Sequence, residues 1–282
     1  MLPSIRSPAY HRLVRYAVDL GNSAAKAGCL RDGALVSLRV ASPADPRDAD
    51  AWRGVVTALL DLAEHDGGGA SGLTVGSVVP DGTTALQEVA AARGVPIDLI
   101  QSRDLPLRSR LEAPDRIGVD RALAAWYTFE QQGRPHDRGA IAVTLGTALT
   151  LTCVSRDGEL LGGAIAASPL LAARALASGT ATLPEVTLYD ESPEIPGPIG
   201  TSTERALAAG ILRGARGGLL ALIDESAAEM ERLDPGAPLP AIGLTGGAAT
   251  AGWSASIRAD LRDPDLVMRA LLALPQIGRA HV

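Results

Sequence analysis

Short apolar runs alternate along the chain with longer stretches whose apolar residues recur at helical spacing, the pattern of strands interleaved with helices. Residues 50–64 (DAWRGVVTALLDLAE) carry the helical spacing, and 66–72 (DGGGASG) read as a loop. An apolar strand over 73–79 stops at Pro80, 81–93 is helical, 95–100 is a strand, and 119–131 is helical again. Further on, 169–177 and the long stretch 202–232 are expected to be helices. Ala241–Thr245 reads as a strand running into Gly246-Gly247 and a further helix, and a last amphipathic helix is expected over 264–274. The polar stretch 131–138 (QQGRPHDR) is the expected boundary between a lobe over 1–134 and a lobe over 135–282.

The pattern also repeats itself. Ala17-Val-Asp-Leu-Gly-Asn22 lies over Ala142-Val-Thr-Leu-Gly-Thr147, and the same offset of 125 positions puts Arg31-Asp32-Gly33 on Arg156-Asp157-Gly158 without a gap. Each copy reads as strand, tight glycine turn, second strand, and an Asp-Gly hairpin into a third strand. Alternation of strands and helices in each half predicts two α/β lobes with a cleft between them.

Composition adds limits. Of the 282 residues 46% are hydrophobic but only 3% aromatic, which predicts a core filled by small side chains. A net charge of −6 speaks against a nucleic-acid surface, while backbone N–H groups can still bind phosphate. Cys29 and Cys153 are expected in the core, and the four histidines show no ligand spacing. With no apolar h-region near the start and no apolar run of transmembrane length, a cytoplasmic protein with no membrane partner is expected.

The candidate chemistry sits on the repeated turns. In Asp19-Leu20-Gly21-Asn22-Ser23 with Lys26, Gly21 allows a phosphate close to the backbone, Ser23 and Lys26 add a hydroxyl and a cation, and Asp19 can hold Mg²⁺. An ordinary hairpin is the plainer reading of the same residues. Gly146-Thr147 offers a second backbone turn and hydroxyl, with Thr144 standing where Asp19 stands in the first copy. Gly118-Val119-Asp120-Arg121 opens a helix; its carboxylate is either a helix cap or the acceptor of a substrate hydroxyl proton. Thr245-Gly246-Gly247 leaves a strand with no side chain in the way and suits an adenosine resting on backbone.

These motifs resemble the type III pantothenate kinases, members of the actin, sugar-kinase and Hsp70-like superfold. The resemblance runs through Asp19–Lys26, Ser77-Val-Val-Pro80, Pro114, Gly118–Arg121, Gly146-Thr147-Ala148 and Gly162-Gly163-Ala-Ile165. It continues through Ser178-Gly-Thr-Ala-Thr-Leu-Pro184, Gly200-Thr-Ser-Thr203 and Thr245-Gly246-Gly247. It implies a duplicated, two-lobed actin-like ATPase (ribonuclease H-like) α/β fold with a central cleft. ATP would be bound by Asp19, Leu20, Gly21, Asn22, Ser23, Ala24, Ala25 and Lys26, with Thr147, Gly246 and Gly247. Pantothenate would be bound by Gly118, Val119, Asp120, Arg121 and Thr203, with Asp120 as the catalytic proton acceptor.

The resemblance further implies Mg²⁺ at Asp19, a monovalent cation (K⁺ or NH₄⁺) at position 144, and a homodimer whose partner completes the pantothenate pocket. The chain departs from the family pattern at four places. Thr144 and Thr152 stand where the family has acids, Ala167-Ser168 replaces a Pro-Gly, and Leu111 replaces a Tyr. The expected activity is phosphorylation of pantothenate, the opening step of coenzyme A synthesis. A non-catalytic homologue that binds nucleotide or pantothenate in a regulatory role, or a kinase for another small alcohol, are the alternatives these departures leave open.

Overall fold

The structure, a computed structural model, describes residues 14–65, 70–188 and 195–274. The chain divides into two compact units: the described residues up to Ile100 together with Leu271–Leu274, and Gln101–Ala270. The segment 131–138 lies inside the second unit, where it continues a helix through one wide turn (Phe129–Gly133) and one tight turn (Arg134–His136).

The first unit contains β1 (Val14–Leu20), β2 (Ala24–Arg31), β3 (Ala34–Ala41), α1 (Ala49–His65), β4 (Ala70–Ser77), α2 (Pro80–Ala92) and β5 (Ile97–Ile100). Its sheet runs β3-β2-β1-β4-β5, antiparallel through β1 and parallel beyond it. Pro80 starts α2 because proline lacks the N–H that a first helical residue leaves unpaired anyway. Residues 70–72, expected in a loop, are the start of β4, since parallel pairing with β1 outweighs the local glycine content. Where α1 meets α2, Gly82 carries no β-carbon against the Trp52 ring, which is fully buried and donates its indole N–H to the Pro46 carbonyl (2.9 Å).

The second unit contains β6 (Arg108–Ser109), α3 (Val119–Thr128), β7 (Ala140–Leu145), β8 (Ala148–Val154), β9 (Glu159–Ala167), α4 (Pro169–Gly179), α5 (Thr203–Leu233), β10 (Ala241–Thr245) and β11 (Leu261–Arg262), followed by α6 (Leu266–Ala273). Its sheet order is β11-β10-β7-β8-β9-β6. Apart from the added β6, that is the order and direction of the first sheet, with β7, β8 and β9 in the places of β1, β2 and β3. The sequence repeat is therefore a structural duplication. Its Asp-Gly hairpins are where they were expected, with Asp32, Gly33 and Gly158 all at positive φ.

Two layers cover the second sheet. Ile141, Val143, Leu145, Leu149, Leu151 and Leu244 point into a core shared with Leu212, Leu219 and Ile223 of α5. The other face lies under α3, where Gly243 leaves room for the Thr128 side chain. Cys29 and Cys153 are both buried. The middle of β8 and β9 allows no side chain at Gly163, whose β-carbon would sit on the Leu151 carbonyl. Gly163→Ala is expected to cost about 2–4 kcal/mol through overpacking and lost ladder hydrogen bonds, read as a lower urea midpoint at unchanged slope.

Two expectations are corrected. Between Gly247 and β11 the expected α-helix does not form; turns and one short 3₁₀ turn (Gly252–Ser254) lead to β11. The carbonyls that a helix would pair internally are met otherwise: the Arg262 guanidinium donates to Ala249, Ser254 and Ile257, and the Ser254 hydroxyl to Ala248 (2.7 Å). The second correction concerns α5, which is long and apolar enough to cross a membrane by length and composition, contrary to the reading of its sequence. Its Ala, Gly and Leu content produces this: one stripe enters the core, and Ala206, Gly210, Gly214 and Gly218 line an open apolar groove of 740 Å³ with α4 and β9.

Candidate active site

In the first unit β1 ends at the first glycine turn. The Gly21 N–H donates to Ala24 O (3.1 Å), and a β-carbon on Gly21 would lie 3.0 Å from that oxygen. The turn is held from outside by Ser42, which sequence reading missed, and by Val78 of the Ser77–Pro80 motif. The Ser42 hydroxyl donates to Gly21 O (2.7 Å), the Ser42 N–H to Ser23 O (3.2 Å), and the Val78 N–H to Leu20 O (3.1 Å). Asn22 and Ser23 are exposed at the tip, while Ala25 is buried beneath it.

Asp19 and Lys26 face each other across the β1–β2 ladder and are both half-buried on one face; Leu20 points the other way into the core. Gly76 stands beside Asp19 on β4 and adds no side chain there. The turn therefore offers one carboxylate, one ammonium group and exposed backbone, a set that suits a metal-bound polyphosphate. Magnesium is commonly held by one or two carboxylates together with water and phosphate, and Asp19 fits that role. Among the described residues no group of three or more His, Cys, Asp or Glu side chains could form an all-protein metal cage.

The second unit repeats the turn. Gly146 N–H donates to Ala148 O (3.1 Å), and Gly146 and Thr147 are exposed. Gly246 folds over the end of β7 with φ +96°, and a β-carbon there would lie 2.5 Å from the Leu145 carbonyl oxygen. That same oxygen accepts from the Ala248 N–H (3.1 Å), which ties the Gly246-Gly247 turn to the end of β7.

Helix α3 begins at Gly118, whose carbonyl accepts from Arg121 and Ala122 N–H (3.1 Å each). Asp120, in its first turn, receives backbone hydrogen bonds from Asp120 and Arg121 N–H. Burial outweighs these bonds and the Arg121 charge, and raises the carboxyl above the ordinary 3.8. A raised carboxyl is the stronger base once ionised, which a proton acceptor requires. Arg121 donates through Nη2 to Leu151 O (3.2 Å), and its Nε–H is buried without a partner. Thr203 is the exposed first residue of α5, after Ser202, whose hydroxyl caps the helix from Arg205 N–H (3.3 Å).

A row of hydroxyls crosses the sheet under α3. Thr245 pairs with Thr144, and Thr144 with Thr150, so all three lie side by side on one face, and Thr152 follows two residues along β8. Thr150, Thr152 and Thr245 are 7%, 1% and 1% exposed, and their hydroxyls have no hydrogen-bond partner. The signal in the sequence was threonine at alternating positions of otherwise apolar strands (VTLG, LTLT), which marks one polar face. These neutral hydroxyls lie on one face of a sheet and contribute no carboxylate, so they do not fit a monovalent cation.

The sequence model of the family described as Type III pantothenate kinase matches residues 16–225. The chain is 32% identical to "Type III pantothenate kinase 1" of Symbiobacterium thermophilum, over 93% of this chain and 96% of that one. It is 34% identical to the type III pantothenate kinase of Nitratidesulfovibrio vulgaris, over 91% and 94%. Among solved structures it resembles the ethanolamine utilization protein EutJ of Carboxydothermus hydrogenoformans, with TM-score 0.50 and 14% identity over 92% of this chain and 88% of that one. The duplicated sheets and this likeness give the actin-like ATPase fold.

Proposed function

Because the chain belongs to the type III pantothenate kinase family, we propose that it transfers the γ-phosphoryl group of ATP to the 4′-hydroxyl of pantothenate. The products are ADP and 4′-phosphopantothenate, and the reaction opens coenzyme A synthesis. The observation that carries this reading is Asp120: a carboxyl at the start of α3, raised by burial and beside a guanidinium.

In this reading Asp120 accepts the hydroxyl proton as the substrate oxygen bonds to the γ-phosphorus, and the bond from that phosphorus to the bridging oxygen breaks to release ADP. Gly118, Val119 and Arg121 line the pantothenate side with Thr203. Asp19–Lys26 and Gly146-Thr147 offer backbone N–H groups and hydroxyls to the phosphates, and Gly246-Gly247 leaves flat backbone for adenosine. Mg²⁺ held by Asp19 would neutralise phosphate charge when bound. A cytoplasmic homodimer completes the proposal, with no nucleic-acid or membrane partner; the groove along α5 supports it as an apolar surface for a second copy.

Each ligand can be tested alone by the thermal midpoint, because binding to the native state raises it. ATP with Mg²⁺ and pantothenate should each raise it. A shift with another small alcohol and none with pantothenate would redirect the activity to that alcohol.

The acid limb of the pH profile follows from Asp120. The protonated carboxyl cannot accept a proton, so kcat/KM should rise with pH along a limb whose midpoint lies above 3.8. The same raised value favours the folded state while the group is protonated, and that contribution is lost as pH rises through the folded value. A limb at or below 3.8 would remove Asp120 from the proton transfer.

A further inference from the structure

We infer that the phosphoryl transfer proposed above, on which this inference rests, runs without a monovalent cation, because the Thr245–Thr144–Thr150 rung is a neutral, water-bridged site that contains no carboxylate. The donors decide it. An alkali cation gives up its hydration shell only to a cage of inward-pointing oxygens or to a nearby carboxylate. Here the side-chain oxygens are hydroxyls on one face of a sheet, and the backbone carbonyls of β7, β8 and β10 belong to the ladder pairing.

The carbonyl between Thr150 and Thr152 is that of Leu151, and it already accepts from Arg121 Nη2 at 3.2 Å. That carbonyl is therefore not open to a cation, and the Asp120 carboxylate already interacts with the neighbouring Arg121 charge.

The orphaned atoms need something else. Thr150, Thr152 and Thr245 hydroxyls and the Arg121 Nε–H are buried and unpartnered. A hydroxyl can donate or accept, whereas Nε–H can only donate, so whatever meets the Nε–H must accept a hydrogen bond. Water does this and can also donate to the next hydroxyl along the rung; a cation accepts nothing.

The test compares the unmodified protein in KCl, NaCl, NH₄Cl and choline chloride at equal ionic strength, reading ATP-dependent pantothenate phosphorylation and, separately, the thermal midpoint with ATP and Mg²⁺. The rate should differ by less than about twofold among the salts, and the midpoint should not respond to K⁺ or NH₄⁺ in particular. A rate about tenfold higher in K⁺ than in choline, or a midpoint raised selectively by K⁺, overturns the inference. Absence of turnover in every salt would sink the kinase reading, while the midpoints still decide the cation question. Thr144→Asp restores a carboxylate to the rung and should acquire a K⁺-selective rise in midpoint; if it folds and shows none, the missing acid does not exclude the cation and the assignment fails.

Discussion

Asp120→Asn is expected to lower pantothenate phosphorylation by about 10²- to 10⁴-fold, the range typical for losing a positioned general base. The amide keeps the size of the side chain but cannot take the proton. Dissociation of ATP, measured by calorimetry, should stay within about twofold of the parent, because no phosphate-binding role falls on this residue. The thermal midpoint at neutral pH should not fall. Burial disfavours the charged carboxylate, and the variant removes that charge. Loss of activity together with a lower midpoint would point to a helix cap, the other reading of this residue in the sequence.

Gly246→Ala should have the second large effect, through geometry rather than charge. The residue holds φ at +96°, and an added β-carbon meets the Leu145 carbonyl at 2.5 Å, with backbone on the other side that cannot rotate away. A left-handed, crowded position of this kind costs about 1–3 kcal/mol for the backbone alone. The turn cannot keep its hydrogen bond from Ala248 N–H to Leu145 O while moving clear. The expected result is a lower urea midpoint and at least about tenfold weaker ATP binding, since the turn after β10 is the surface proposed for adenosine. Gly247→Ala serves as the comparison. Gly247 is exposed and is not among the positive-φ glycines, so a similar loss of stability there would remove the special role given to Gly246.

Much of this fold could be read from the repeat. Two motifs in register at one offset required the same strand order twice, and β1-β2-β3 and β7-β8-β9 follow it. The helix starts expected at 202 and 81 lie within one residue of those of α5 (Thr203) and α2 (Pro80). The stretch after Gly247 was not legible, because a distant arginine, Arg262, meets the carbonyls there and removes the need for a helix. Residues 70–72 were misread for a similar reason: their strand exists through pairing with β1, which local composition does not carry.

The candidate site was partly legible. Turn glycines and the Gly118–Arg121 motif announce themselves by type and spacing. The supports of the first turn do not: Ser42 lies at the far end of β3 and is joined to Gly21 only by the hairpin pairing. The hydroxyl rung is likewise a product of register, since Thr245 comes from a strand about a hundred residues beyond Thr144 and meets it only in the parallel ladder. The loss of acids at 144 and 152 was visible in the sequence; that their replacements lie on one face with Thr150 and Thr245 was not.

The most direct test of the central claim is to incubate the purified protein with ATP, Mg²⁺ and pantothenate and to follow 4′-phosphopantothenate by mass spectrometry alongside ADP. Stoichiometric formation of both, abolished in Asp120→Asn, is the result expected. Protein that binds ATP and pantothenate but forms no phosphopantothenate would contradict the account and leave a ligand-binding homologue in its place.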